Sequence, residues 1–390
     1  MKNLFVVSLV ALLPFAVACN ATSETEFSSS GLSRIESSSL KPSSLKPSGI
    51  EPDMVKKHKI VIAHRGASGY LPEHSMASKA MAYAMKVDYI EQDLVMTKDD
   101  HLVVLHDHYL DRVTNVADKF PNRSRKDGRY YAIDFTLAEI QTLDMTEGFS
   151  VKEGIIEANY PDRFPIWRSK FKVHTFADEI ELIQGLNKST GKNVGLYPEI
   201  KSPAFHLHSG KDISKAVLLE LKKYGYINHE SKVFVQSFDA NELKRIKQKL
   251  MPQLDVNLRL VQLIAMTSWN ETVTYKDGEA VPYSYDWMLQ PENMDKIAQY
   301  ADGIGPWKSM LVTENKKLKT VKSNGLVEAA HKAGLLVHPY TFRADKGKVP
   351  SYVKDFSELL RFFYFDIGVD GVFTDFPDKA VDVLSSDKQN

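Results

Sequence analysis

The sequence has almost no cysteine, since Cys19 is the only one among 390 residues. A single cysteine cannot close an internal disulfide, and it cannot build a zinc or iron–sulfur site that needs several thiolates. Stability must therefore come from packing, and from an ion held by other side chains if one is bound.

Net charge is also lacking, because 50 Lys and Arg residues balance 50 Asp and Glu residues. A neutral chain gives no reason to expect wholesale binding to nucleic acid or to an acidic membrane surface, although a local basic pocket is compatible with it. With 43% hydrophobic residues, the chain can bury the core of one large α/β domain of roughly 250–350 residues.

The longest apolar run covers only residues 4–17, behind the charged Lys2. It is too short to span a bilayer comfortably and has the length of a signal peptide, so residues 1–19 are predicted to be a targeting segment. Cys19 follows Ala16-Val17-Ala18. This site is compatible with ordinary signal peptidase, which would release a soluble protein, and it resembles a bacterial lipobox, which would leave a lipid on Cys19, although Ala16 stands where Leu is usual.

We favour the lipoprotein interpretation because the only cysteine falls at the cleavage position and a Ser/Pro-rich stretch, residues 20–57, follows it. Such a stretch cannot bury enough apolar surface to offset its ordering entropy, so it is predicted to be a disordered tether. We expect export to the bacterial periplasm, with a lipid at Cys19 as the contact with a membrane.

Residues 58–390 alternate strand-like and helical patterns. The strand-like runs are 60–63, 89–95, 102–105, 194–200, 233–235, 258–264, 303–304, 335–340 and 371–373. Helical patterns at 75–85, 213–224 and 326–333 separate some of them. This alternation of strands and helices predicts a parallel sheet, most simply a TIM-type (β/α)₈ barrel, with a doubly wound open sheet as the alternative. Nine runs are one too many for the barrel, and residues 108–175 read as a long insertion after the third strand.

Polar side chains stand where these strands end, as catalytic groups do in such barrels. Glu91 and Asp93 are two residues apart on one strand, so they share a face. Glu199 and Lys201 do the same on another. Each group alone has a structural interpretation, such as an ion-pair network, but their recurrence at strand ends indicates a site.

The residue types suggest the chemistry of that site. Glu91, Asp93 and Glu199 offer only oxygen ligands, which favours a hard cation such as Ca²⁺ or Mg²⁺. Arg65 and Lys201 indicate an anionic substrate, of which a phosphate is the natural candidate.

The motifs taken together resemble the bacterial periplasmic branch of the glycerophosphodiester phosphodiesterases. They are His64-Arg65-Gly66-Ala67 with Pro72-Glu73, Glu91-Gln92-Asp93-Leu94, Leu105-His106-Asp107, Glu199-Ile200-Lys201, Gln236-Ser237-Phe238 and Thr374-Asp375-Phe376-Pro377. The resemblance implies a TIM barrel that hydrolyses glycerophosphocholine, glycerophosphoethanolamine and related small diesters to glycerol 3-phosphate and an alcohol.

The resemblance also implies a role for each matched residue. Glu91, Asp93 and Glu199 are the implied metal ligands, with Ca²⁺ usual and Mg²⁺ or another hard divalent cation as the alternative. The implied acid–base pair is His64 with His106, the implied phosphate ligands are Arg65 and Lys201, and Phe238 is expected near the substrate. The implied mechanism is intramolecular attack by the 2-hydroxyl of the glycerol, followed by opening of a cyclic phosphate.

Two alternatives stay open at this stage. One is a phosphatidylinositol-type phospholipase C or a sphingomyelinase-like lyase on the same barrel, and the other is a surface lipoprotein that binds a partner. The sequence determines neither the preferred headgroup nor the oligomeric state.

Deletion of residues 21–55 tests the predicted tether. Because such a segment makes few contacts with a catalytic domain, we expect kcat on glycerophosphocholine and the free energy of unfolding to be unchanged within error. A clear loss of stability in urea denaturation would mean that the segment packs on the domain.

Overall fold

The computed structural model describes residues 58–315, 317 and 320–387. The predicted targeting segment 1–19 and the predicted tether 20–57 lie outside the described residues, so both remain predictions. Within the described part of the chain, no helix combines the length and the apolar character needed to cross a membrane.

Fifteen strands are present in the described residues. They are β1 (Ile60–Ala63), β2 (Tyr89–Met96), β3 (Leu102–Val104), β4 (Phe149–Lys152), β5 (Ile155–Ala158), β6 (Gly195–Ile200), β7 (Phe234–Ser237), β8 (Arg259–Ile264), β9 (Val273–Lys276), β10 (Glu279–Pro282), β11 (Gly303–Pro306), β12 (Val312–Asn315), β13 (Thr320–Ser323), β14 (Leu336–Val337) and β15 (Gly371–Thr374).

The helices connect these strands, apart from the last one, which follows β15. They are α1 (Met76–Ala84), α2 (Val116–Lys119), α3 (Leu137–Thr142), α4 (Phe176–Thr190), α5 (Pro203–His208), α6 (Ile213–Lys223), α7 (Ala240–Arg245), α8 (Met251–Leu254), α9 (Met294–Ala298), α10 (Leu326–Lys332), α11 (Phe356–Arg361) and α12 (Pro377–Asp387). Single π-helical turns, Ile246–Leu250 and Phe362–Asp366, follow α7 and α11.

Eight parallel strands form the barrel, in the order β14, β11, β8, β7, β6, β2, β1, β15. The segment after β14 closes it, because the backbone N–H of Phe342 donates to the carbonyl of Phe373 at 2.8 Å. The predicted TIM-type barrel is therefore confirmed, and the open doubly wound sheet is excluded.

All nine predicted strands are present, and the surplus one is β3. It pairs antiparallel with β2, with Leu94 opposite Val104, so it is not a barrel strand. The predicted insertion follows β3 in the chain and thus lies between the second and third strands of the barrel. It contains α2, α3 and the β4–β5 hairpin, and its apolar residues form a core of their own around Leu110, Phe135 and Leu143.

The two faces of the barrel strands have different surroundings. On β2, Tyr89 points into the barrel, where it packs on Tyr197 of β6 and Phe234 of β7 with ring centroids 5.9 and 5.3 Å apart. Ile90 and Leu94 point outward into the apolar layer under the helices. The aromatic layer inside the barrel forms a floor, and the polar residues two positions further along each strand stand above it.

A buried ion pair fixes β2 to the helical layer. Lys79 of α1 lies 3.0 Å from Glu179 of α4, and both side chains are fully buried. Glu179 also accepts hydrogen bonds from Gln92 and from His174, each at 2.8 Å. The Lys79 ammonium donates in addition to the backbone carbonyl of Glu91. This network holds the part of β2 that carries the polar residues.

Replacing Lys79 by Met tests the network. Removal of one partner leaves a buried charge without compensation, so we expect a loss of about 3–5 kcal/mol in the free energy of unfolding, measured by urea denaturation. The double variant Lys79→Met/Glu179→Gln should recover part of this loss, because the stranded charge is then absent. A single-variant loss no larger than that of Lys86→Met, at an exposed position, would contradict this account.

Candidate active site

A cavity of about 250 Å³ opens at the carboxyl ends of the barrel strands. Seven of the eight predicted site residues line it, namely His64, Arg65, Glu91, Asp93, His106, Glu199 and Phe238. The eighth, Lys201, lies behind this wall, with its ammonium 2.8 Å from the Glu199 carboxylate. The structure thus brings the predicted residues together, and their individual roles remain predictions.

Strand register aligns the three acidic residues. Asp93 of β2 stands directly opposite Glu199 of β6, which in turn is opposite Gln236 of β7. Glu91 lies two residues before Asp93 on the same face of the strand. The carboxylates are therefore neighbours because of the sheet itself, with no contribution from loop conformation.

The turn after β1 brings a backbone donor to these carboxylates. Arg65 adopts a left-handed conformation with φ 58°, and its N–H donates to Glu91 at 2.5 Å. Gly66 follows with φ 87°. A Cβ at this position would overlap Ser78 of α1, so glycine alone fits the close approach of the turn to the helix.

The positive charge near the three carboxylates does not balance their negative charge. Burial, and then Asp93, raises the pKa of Glu91 well above its usual range. Burial raises the pKa of Glu199 to about 8, although Lys201 acts in the opposite direction. Two buried oxygens, Asp93 Oδ1 and Gln236 Oε1, have no hydrogen-bond partner among the described residues. An oxygen-lined pocket with surplus negative charge and unpartnered acceptors fits a hard divalent cation.

His74 also stands beside this group, and the sequence did not mark it. Its ring, with Glu91 and Asp93, places ligand atoms within 4.8 Å of one another, so these three residues could hold a metal ion. However, His74 Nε2 lies 2.7 Å from Asp93. Although burial acts to raise the pKa of Asp93, the nearby Lys201 ammonium is the largest of the effects that hold this pKa well below its usual range, so the carboxylate is ionised. Nε2 must therefore carry the proton, and His74 orients Asp93 while Glu199 completes the oxygen set.

Each of the two predicted acid–base histidines has its Nδ1 within hydrogen-bond distance of an aspartate. His64 Nδ1 is 2.6 Å from Asp375, and His106 Nδ1 is 2.7 Å from Asp107. Both aspartates are ionised. The pKa of Asp375 is held well below its usual range mainly by Arg343, which outweighs burial. Asp107 accepts a hydrogen bond from the Arg112 guanidinium at 2.7 Å, and its pKa is also lowered. Because an ionised carboxylate only accepts hydrogen bonds, each Nδ1 carries the proton. Each Nε2 is then free for proton transfer.

The imidazoles are neutral in this setting. Burial, and then Arg65, lowers the pKa of His64 to about 4, against the raising effect of Asp375. The pKa of His106 is lowered by the same two causes. A neutral ring with a free Nε2 can accept a proton from a bound hydroxyl.

The cationic side chains are held by the acidic ones. Arg65 donates to Glu73 at 2.8 Å, and its Nε is 3.6 Å from Asp93 with no hydrogen-bond partner. The Lys201 ammonium is also 5.6 Å from the ring of Phe238, which faces the cavity. Arg65 borders the space above the carboxylates, where an anion can be bound, and Lys201 lies directly behind Glu199.

Further cavity residues come from loops, and sequence patterns gave little sign of most of them. Trp269, Glu271 and Arg343 lie on connections without regular periodicity. Trp307 and Tyr340 follow β11 and β14, and their strand-end positions were the only available signal. Asp375, by contrast, belongs to the strand-end motif and its pairing with His64 was not predicted.

The comparisons with known proteins agree with this geometry. The model of the glycerophosphoryl diester phosphodiesterase family matches residues 64–379. The chain belongs to this family. A glycerophosphodiester phosphodiesterase of Haemophilus influenzae is 54% identical over 337 residues, which cover 86% of this chain and 92% of that protein.

Solved structures share the fold. A Silicibacter pomeroyi protein has a TM-score of 0.59 at 22% identity, covering 85% of this chain and 95% of its own. An Oleispira antarctica phosphodiesterase, solved in complex with the product sn-glycerol-3-phosphate, has a TM-score of 0.52 at 21% identity, covering 84% and 96%. The predicted family, fold and enzyme class of this phosphodiesterase are thus confirmed, and the lyase and binding-lipoprotein alternatives lose their support.

Proposed function

We propose that this phosphodiesterase hydrolyses small glycerophosphodiesters, such as glycerophosphocholine and glycerophosphoethanolamine, in the cavity at the strand ends. The observation that carries the proposal is that three buried carboxylates line one cavity together with two histidines whose Nε2 atoms are free. The Oleispira antarctica relative, which holds the product sn-glycerol-3-phosphate, supports the same substrate class.

Glu91, Asp93 and Glu199 are the proposed ligands of a hard divalent cation, with Ca²⁺ as the first candidate and Mg²⁺ as the second. Their donor set is entirely oxygen. The pKa values of Glu91 and Glu199 are raised because burial disfavours their ionised forms, and a bound cation would favour those forms again. When bound, such a cation stabilises negative charge on phosphoryl oxygens and lowers the pKa of a nearby hydroxyl.

The chain's own residues then move the protons. One imidazole Nε2 takes the proton of the glycerol 2-hydroxyl while that oxygen bonds to phosphorus and the bond to the leaving alcohol breaks. The other histidine enters this step with a proton on Nε2, a form that the negative charge of the bound phosphodiester favours, and gives that proton to the departing oxygen. The roles reverse when water opens the cyclic phosphate, so His64 and His106 each act once as acid and once as base.

Binding and positioning fall to the cations and the aromatic residue. Arg65 and Lys201 are the proposed phosphate ligands, because both are charged and adjacent to the carboxylates, with Lys201 buried and Arg65 partly exposed. Phe238 is proposed to contact the carbon skeleton of the substrate. Holding the 2-hydroxyl and the phosphorus in one pocket makes the first step intramolecular, which raises its effective molarity.

For the cellular location, we propose export to the periplasm with a lipid anchor at Cys19. Its support is the position of the only cysteine, directly after the apolar segment 4–17. Fractionation of cells that express the full chain should find it with membranes, and Cys19→Ala should move it to the soluble fraction. Recovery of the unchanged chain in the soluble periplasmic fraction would favour the signal-peptidase alternative.

Removal of divalent cations tests the proposed metal centre. We expect EDTA to abolish hydrolysis of glycerophosphocholine and Ca²⁺ to restore it, because three crowded carboxylates cannot act as phosphate ligands themselves. Glu199→Gln should raise the Ca²⁺ concentration needed for half-maximal activity by about tenfold or more. Glu230→Gln, the same change at an exposed position outside the cavity, should leave that concentration unchanged. Full activity in a demetallated sample would rule out this assignment.

Substitution of the histidines tests the proton transfers. We expect His64→Ala and His106→Ala each to lower kcat by about 100-fold or more with a smaller change in KM. The double variant should lose much less than the product of the two effects, since both residues act in one step. His108→Ala is the control, because that ring hydrogen-bonds Ser202 and stacks on Phe205. Wild-type rates in folded His64 and His106 variants would refute the mechanism.

A further inference from the structure

A second cavity of about 250 Å³ adjoins the first. His64, Arg65 and Arg343 border both cavities. The other walls of the second cavity include Tyr160 from the insertion and Lys348, which lies with Arg343 in the loop between β14 and α11. The three carboxylates proposed as metal ligands line the first cavity and not the second.

Basic side chains predominate around this second cavity, but two of the arginines are already paired with carboxylates. Arg163 donates to both carboxylate oxygens of Asp345 at 2.8 Å and to Asp375 at 2.5 Å. Arg112 donates to Glu73 and to Asp107. The charges of these two arginines are therefore balanced by carboxylates, and the arginines serve to hold the wall.

Arg343 and Lys348 make fewer contacts with carboxylates. Arg343 uses only its Nε, 2.8 Å from Asp375, so both of its terminal nitrogens are without a hydrogen-bond partner among the described residues. In the same part of the chain, no carboxylate lies within 4.0 Å of the Lys348 ammonium, which is 5.7 Å from the centroid of the Tyr160 ring. Nearby, burial and then Arg343 and Lys348 lower the pKa of Lys308 to about 8. The potential in this region is positive.

The substrate has two ends and the site has two cavities. If hydrolysis follows the proposed function, on which this inference rests, the glycerol end of the substrate lies in the first cavity, beside the carboxylates that would hold the cation. The alcohol on the other side of phosphorus then extends past His64 and Arg65 towards the second cavity.

We infer that the second cavity is a headgroup subsite, and that Arg343 and Lys348 make it select leaving alcohols that carry a further anionic group, such as a second phosphate, over cationic ones such as choline. Ion pairing with a partly exposed cation changes selectivity mainly through complementary charge, and the effect weakens as salt screens it.

The test compares three substrates with the full-length enzyme in saturating Ca²⁺: glycerophosphocholine, glycerophosphoglycerol, and glycerophosphoglycerol phosphorylated on its far glycerol. Lys348→Glu should lower kcat/KM for the phosphorylated diester relative to glycerophosphocholine by about fivefold or more, with the neutral diester between them. The selectivity of the wild type should decline as NaCl is raised from low ionic strength. Lys346→Glu is the matched control, since it makes the same charge change two residues away at an exposed position outside the cavity. The ratio should not change in this variant.

An equal effect of Lys348→Glu on all three substrates, or an equal shift in Lys346→Glu, would overturn the headgroup subsite while leaving the phosphodiesterase activity intact. Absence of hydrolysis of every diester by the wild type would overturn the proposed function and the subsite together.

Discussion

The arrangement of this protein follows from burying three carboxylates side by side at the mouth of a barrel. Glu91, Asp93 and Glu199 project from adjacent strands in register, and burial together with mutual repulsion makes full ionisation unfavourable. Lys201 and the backbone N–H of Arg65 compensate only part of this charge. A divalent cation is the simplest complement to what remains, and the other features of the site can be understood as serving it.

The burial of these carboxylates also explains why the side chains around them are charged and linked to one another by hydrogen bonds and ion pairs. Each catalytic histidine is oriented by an aspartate, and each aspartate is kept ionised by arginines that are themselves buried or half-buried. Such a network is stable only when its members are satisfied together, because a stranded charge in a low-dielectric interior is costly. The aromatic floor inside the barrel and the Lys79–Glu179 pair outside it hold the strands that carry these groups.

Much of this could be predicted from local sequence. The period of two on β2 and β6 indicates which carboxylates share a face, and parallel strands bring their carboxyl ends to one rim, so the predicted residues meet. The direction of β3 could not be predicted, because a short apolar run does not indicate whether its partner is parallel or antiparallel. The placement of His74, Arg343 and Lys348 was also missed. These residues reach the site through a turn and a loop, where no periodicity links sequence to position.

The central claim is that the three carboxylates form a cation site of oxygen ligands. A crystal structure with bound Ca²⁺, with the ion located by its anomalous scattering, tests it most directly. The account predicts one ion with oxygens of Glu91, Asp93 and Glu199 at about 2.3–2.6 Å, and with His74 still hydrogen-bonded to Asp93. An ion bound through a nitrogen of His74 at about 2.0–2.1 Å, with Glu199 outside the coordination sphere, would contradict it.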